Sequence, residues 1–162
     1  LHRFNDCMSL SGFLRGGALR FEEDALRVQD VDQLLYGLSL NQNYSSALFN
    51  VTLTGNTDDA KESTSLFSAD GYGLRLSHSW FRAGGKVYFV DASASRVEYD
   101  EQFFGMDRED DSFSVGVGGT WNKFPMKDWS TTVRVNYSAK DSSVSLYEYD
   151  RLEVGFTLRK MF

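Results

Sequence analysis

The chain is poor in the residues that interrupt or cross-link structure: one proline, one cysteine and two histidines in 162 residues. So little proline leaves β-ladders unbroken, while fourteen glycines let strands bend. Cys7 stands alone, which excludes an internal disulfide, and its place near one end reads as incidental. No segment approaches the roughly 18 consecutive apolar residues of a membrane helix. That does not exclude a membrane, because a closed β-barrel also satisfies every backbone polar group in lipid. Excess positive charge is missing too. The net charge of −6 argues against nucleic acid, whose binding needs clustered Lys and Arg. The first residue is Leu1, with no initiator Met and no charged-then-apolar leader, so the sequence reads as a processed chain or a fragment.

What is present in quantity is alternation of period two, the mark of a strand with unlike faces. Phe113, Val115, Val117, Gly119 and Trp121 oppose Ser112, Ser114, Gly116, Gly118 and Thr120. Trp129, Thr131, Val133, Val135 and Tyr137 oppose Ser130, Thr132, Arg134, Asn136 and Ser138. Similar patterns place strands near 12–21, 31–43, 46–54, 70–80, 86–95, 112–122, 129–139 and 151–161, with residues 1–11 irregular. In the first and fifth of these, Arg15 and Asp91 fall ambiguously, and a bulge would shift their parity. Each strand is close to the roughly 9–11 residues that a tilted strand needs to cross a bilayer.

A soluble sandwich alternates as well. Three features favour a membrane barrel. Long connections (22–30, 55–69, 96–111, 140–150) alternate with short ones (44–45, 81–85, 123–128), as external loops alternate with periplasmic turns. The long connections hold most of the 23 acids and a minority of the 17 bases. All three tryptophans, Trp80, Trp121 and Trp129, lie where a strand meets a short turn, with Tyr44, Phe81 and Phe124 beside them, as an aromatic girdle at one interface would require. The small polar face reads as a wet lumen and the aromatic, branched face as the lipid side, the reverse of a soluble barrel. The expectation is therefore an all-β fold. It is a single domain over 1–162, an antiparallel transmembrane β-barrel of about eight strands or the C-terminal half of a larger one, in the cell outer membrane. Outer-membrane lipid and lipopolysaccharide would surround it, with its termini and Trp girdle on the periplasmic side.

Arg75, Arg134, Glu153 and Arg159 share the lumen side; a ladder of guanidinium groups would select anions, but pairing of the arginines with Glu153 or with an inward loop carboxylate, which fills the barrel, is the favoured reading. The seven carboxylates Glu98, Asp100, Glu101, Asp107, Glu109, Asp110 and Asp111 read as a solvated external loop rather than a calcium site. His78 between Ser77 and Ser79 suggests catalysis only superficially. Adjacent strand residues point to opposite faces and no acid orienter is in sight, so no enzyme is expected. No phosphate-binding loop, metal-ligand motif or cofactor signature is present. The stretch Tyr147 to Arg151 reads as part of an external aromatic belt with a local Tyr–Arg stack.

The last strand ends in a pattern that resembles the insertion signal read by the barrel assembly machinery: Glu153, Gly155 and Leu158, closed by Phe162, with Lys160 at a position where an apolar residue is usual. The last third carries a more specific likeness. Asp107-Arg108-Glu109-Asp110-Asp111, the Gly-rich strand to Trp121, Asp128-Trp129-Ser130, Val135-Asn136-Tyr137-Ser138, the run from Asp141 to Arg151, and Leu158-Arg159-Lys160-Met161-Phe162 resemble the C-terminal part of the surface lipoprotein assembly modifier (Slam) family. The resemblance covers residues 105–162. Members pair a periplasmic tetratricopeptide-repeat domain with an outer-membrane barrel. The resemblance implies a role in moving or displaying surface lipoproteins or other cargo. A passive porin or small structural barrel is the alternative, and a barrel enzyme acting on lipid or peptide a distant third.

Overall fold

A computed structural model describes residues 2–5, 7–22, 29–61, 66–103 and 105–160, apart from the side chains of Arg3 and Asn5. Nine antiparallel strands form one sheet in sequence order: β1 (His2–Asn5), β2 (Met8–Leu19), β3 (Val31–Tyr44), β4 (Ala47–Ala60), β5 (Ala69–Arg82), β6 (Lys86–Tyr99), β7 (Glu109–Asn122), β8 (Trp129–Ser142) and β9 (Tyr149–Lys160). Such an order arises when each strand folds back on its predecessor through a hairpin. The turn between β5 and β6 shows how. Gly84 and Gly85 take φ of 77° and 72°, a region that glycine enters without a Cβ penalty.

The all-β, antiparallel expectation holds, with two corrections. The segment 1–11, expected to be irregular, contains β1 and the start of β2; their ladder shifts register between Arg3 and Asn5. The strands also run further than expected at the end bearing the long connections. There Asp58, Asp59, Glu98 and Glu109 continue the ladders. These residues are polar on both faces, so alternation disappears while hydrogen bonding goes on.

From β2 to β9 the register runs without a bulge. Opposed residues in an antiparallel ladder share a face, so the pairings sort every strand residue. Arg15, opposite Leu35, and Asp91, opposite Gly116, both belong to the polar face. The other face carries an apolar band. One row across it reads Leu40, Val51, Leu76, Ala92, Val115, Tyr137, Leu152; the next reads Gln42, Phe49, His78, Val90, Val117, Val135, Val154.

Almost none of this apolar surface is covered. Among the described residues only Val31, Ala69 and Val144 are buried hydrophobics. Leu152, Val154 and Phe156 on β9 are 68%, 72% and 68% exposed. The accessible surface is 11093 Å², against roughly 8,200 Å² for a compact monomer of this mass. Each large apolar side chain left in water forgoes about 1.5–3 kcal/mol of burial. The outer side of β9, and that of β2 beyond its short pairing with β1, has no partner strand among the described residues.

Candidate functional site on the polar face

Three adjacent rows of the polar face carry charges of alternating sign. Arg75 and Arg151 lie in one row, joined through Ser93, Ser114 and Ser138. Asp91 and Glu153 lie in the next, joined through Gly116 and Asn136, and Arg134 in the third. Both oxygens of Asp91 accept from Arg134 Nη2 at 2.8 Å, and Arg75 approaches Asp91 at 3.4 Å. Arg151 pairs with Glu153. Gly116 makes the long reach from β8 to β6 possible: a Cβ there would stand 2.5 Å from Arg134 Nη2. The Arg134 guanidinium also lies 5.6 Å from the centre of the Phe89 ring.

Elsewhere on the face Ser, Thr and Asn side chains bond laterally from strand to strand, interspersed with apolar ones such as Phe13, Leu35, Leu48 and Val97. The hydroxyls of Ser39 and Thr52 lie 2.8 Å apart, as do those of Thr120 and Thr132. Asn50 donates to the side chain of Asn41 at 2.8 Å. These bonds tie neighbouring strands at their side chains as well as their backbones.

A second cluster stands at the end of this face nearest the long connections. Asp110, on β7, is only 1% exposed. It accepts from Arg108, from Ser142 at 2.6 Å and from Lys140 at 2.7 Å. The Arg108 guanidinium sits between the rings of Tyr99, at 4.0 Å, and Tyr147, at 3.4 Å. Burial alone would raise the Asp110 pKa, but the hydrogen bonds from Arg108, Lys140 and Ser142 outweigh it and hold the carboxyl well below the usual carboxylate range. Burial likewise opposes the charge on Arg108, and the Asp110 partner reverses that too. Tyr147 belongs to a short 3-10 helix, Ser145–Tyr147, so this clamp fastens the β8–β9 connection to the β6–β7 connection.

The expected site residues divide as follows. Arg75, Arg134, Glu153 and Arg159 do share the polar face, but Arg75 and Arg134 converge on Asp91, which sequence reasoning left ambiguous. Trp80, Trp121 and Trp129 lie on the apolar face toward the short turns, with Tyr88 opposite Trp80. Phe81 does not join them. It pairs with Val87 on the polar face, because it follows Trp80 directly in an unbroken strand. The acidic segment is not one loop: Glu98 belongs to β6, and Glu109, Asp110 and Asp111 open β7. Asp110 is buried and Asp111 is paired with Arg96 through two hydrogen bonds of 2.8 and 2.6 Å; Asp100, Glu101 and Asp107 remain in the connection. No group of three His, Cys, Asp or Glu among the described residues is placed to hold a metal ion.

Of the insertion pattern, Gly155 lies on the polar face and Leu158 on the apolar one; Phe162 is outside the described residues. The Tyr–Arg stack expected beside Arg151 involves Tyr147 and Arg108 instead. His78 stacks on Trp80 with ring centres 4.4 Å apart, and its Nε2 has no hydrogen-bond partner among the described residues; Ser77 and Ser79 face the other way.

The register also sets level, at the end bearing the long connections, tyrosines that the sequence alone did not assign to a belt. Tyr36 and Tyr72 fall in one row of the apolar face, which continues into Arg96, Asp111 and Asp141, with Tyr137 two rows nearer the short turns. The apolar face is thus bounded by tyrosines and charges at one end and by tryptophans at the other. Eight to ten residues separate the belts along a strand (Tyr72 to Trp80, Asp111 to Trp121). That is roughly 27–34 Å of strand, or roughly 20–26 Å along a normal tilted by about 40°. No family model matches the chain, and neither a curated protein nor a solved structure does.

Proposed function

We propose that this sheet is the transmembrane wall of an outer-membrane β-barrel, its apolar face against lipid and its Gly/Ser/Thr/Asn face on a water-filled passage. The observation that carries the reading is the exposed apolar band between two aromatic belts, of the height that outer-membrane barrels present to lipid. The long connections then lie outside and the short turns in the periplasm. In lipid the outer sides of β2 and β9 must also be paired, because unsatisfied backbone groups there cost several kcal/mol each; pairing them completes the barrel.

Within that class we infer a part in moving or displaying surface lipoproteins or other cargo. This rests on the Slam-like segments around Asp107–Asp111 and Asp141–Arg151. The clamp of Arg108, Asp110 and Tyr147 lies inside those same segments, where it fixes the shape of the external rim. Barrel assembly machinery, lipopolysaccharide and lipoprotein cargo are the partners this reading requires.

Two experiments test it. The urea-unfolded chain added to phosphatidylcholine vesicles is expected to yield a protease-resistant form whose gel mobility changes on boiling. A detergent-free soluble monomer instead would refute the membrane reading. In cells, deletion is expected to remove surface lipoproteins from protease reach. Unchanged surface lipoproteins, together with ion conductance of the purified protein in planar bilayers, would favour a passive porin.

A further inference from the structure

The middle of the polar face is positive, although the chain as a whole is negative. From the row of Arg75 to that of Arg159, this face of β2 to β9 carries four arginines, Arg75, Arg134, Arg151 and Arg159, against two carboxylates, Asp91 and Glu153. The acids behind the net charge of −6 stand chiefly on and beside the long connections. Pairing engages two of the four arginines fully. Arg134 takes both oxygens of Asp91 at 2.8 Å, and Arg151 pairs with Glu153. Arg75 makes one long contact with Asp91, at 3.4 Å, and its side chain is 61% exposed. Arg159 has no ion-pair partner among the described residues. Arg75 lies on β5 in mid-sheet, so its exposure does not come from an unpaired edge. Its neighbours along the row are hydroxyls, Thr52 and Ser39 on one side and Ser93 and Ser114 on the other.

We infer that this belt attracts and passes small anions, with Arg75 as the guanidinium that a carboxylate or phosphate group meets and the hydroxyls beside it as further donors. The inference rests on the membrane reading above and holds whether or not lipoproteins also use the passage. Two arginine charges are left over once the carboxylates are matched. In a watery passage with walls of low dielectric, an excess charge of one sign concentrates ions of the other. Pores that select anions are lined by Arg and Lys for this reason. A guanidinium also grips a carboxylate or phosphate through two parallel hydrogen bonds, an arrangement that the single contact of Arg75 with Asp91 leaves unmade.

The test uses the full chain in planar lipid bilayers, with ion current recorded under a potassium chloride gradient. The reversal potential is expected to have the sign that chloride carries, with chloride passing several-fold more readily than potassium. Inorganic phosphate is expected to lower the chloride current. Arg75→Gln is expected to cut the preference for chloride and to relieve the block by phosphate. Asp91→Asn removes a carboxylate from the same belt and is expected to raise the preference; a purely structural lesion would move both variants in one direction. Arg96→Gln, the same loss of charge on the apolar face, is expected to leave the preference unchanged. Circular dichroism and heat-dependent gel mobility check that the variants fold. A parent that prefers potassium, an inserted parent that passes no current, or a chloride current indifferent to phosphate would overturn the inference. So would parental selectivity in folded Arg75→Gln and Asp91→Asn, or an equal loss in Arg96→Gln. Failure of the parent chain to enter bilayers would overturn the membrane reading instead.

Discussion

Arg134 on β8 reaches over the backbone of β7 to put Nη2 2.8 Å from both carboxylate oxygens of Asp91 on β6. Two strands that share no ladder are thereby joined through side chains, and Gly116 is the residue that leaves the way open. Asp91 also receives Arg75 from β5, so one carboxylate ties β5, β6 and β8 together across β7 on one face.

Asp91→Asn leaves two guanidinium groups facing each other across a neutral amide. Removing one partner of a buried charge pair costs about 3–5 kcal/mol; Arg75 and Arg134 are partly exposed, which places the expected loss below that range, at about 1–2 kcal/mol. Urea unfolding from vesicles measures it. Gly116→Val is expected to cost as much by closing the path of Arg134, although it changes no charge; full stability in that variant would show that the crossing contributes nothing.

The clamp at Asp110 carries a definite pH dependence. Its folded pKa lies below the unfolded value of about 3.9, so its stabilisation is complete above roughly pH 4 and is lost only as pH falls through the folded value. Limited proteolysis between Glu101 and Arg108 is therefore expected to stay slow from pH 7 to pH 4 and to accelerate in stronger acid. Asp110→Asn is expected to make this segment labile already at pH 7. Tyr147→Ala, which removes one face of the Arg108 sandwich, is expected to have a smaller effect of the same kind.

The two faces are expected to answer to charge in opposite ways. Val117→Arg places a guanidinium in the middle of the apolar band, where it costs about 2–4 kcal/mol of stability in a bilayer. Ser114→Arg, three residues away and on the polar face, is expected to change stability by less than about 1 kcal/mol. Equal costs at the two positions, read from urea unfolding in vesicles, would contradict the assignment of faces.

The eight long strands were legible wherever bulky and small residues alternate, as from Phe113 to Trp121. Their outer ends were not, because Asp58, Asp59, Glu98 and Glu109 continue the ladders beyond the apolar band, where neither face needs hydrophobic residues. Asp91 lies between Val90 and Ala92, which gives no clear local period, and its partner Arg134 is 43 residues away. Cross-strand register alone brings them together. The same holds for Asp110, which looked like one acid among seven and is the most buried side chain described. Phe81 is adjacent to Trp80 in sequence, the one relationship that a strand turns into opposition. Tyr36 and Tyr72 gave no sequence signal as a belt, since only the alignment of β3, β4 and β5 sets them level.

The apolar face and the medium it meets can be read directly by nitroxide scanning along β7. In a Cys7→Ser background, single cysteines at positions 112 to 122 are spin-labelled and the protein is placed in lipid vesicles. Collision with dissolved oxygen, which concentrates in hydrocarbon, is expected to peak at 113, 115, 117, 119 and 121. Collision with a water-soluble nickel chelate is expected to peak at 114, 116, 118 and 120. Odd positions reached by nickel, or shielded from both reagents, would contradict a lipid-facing wall.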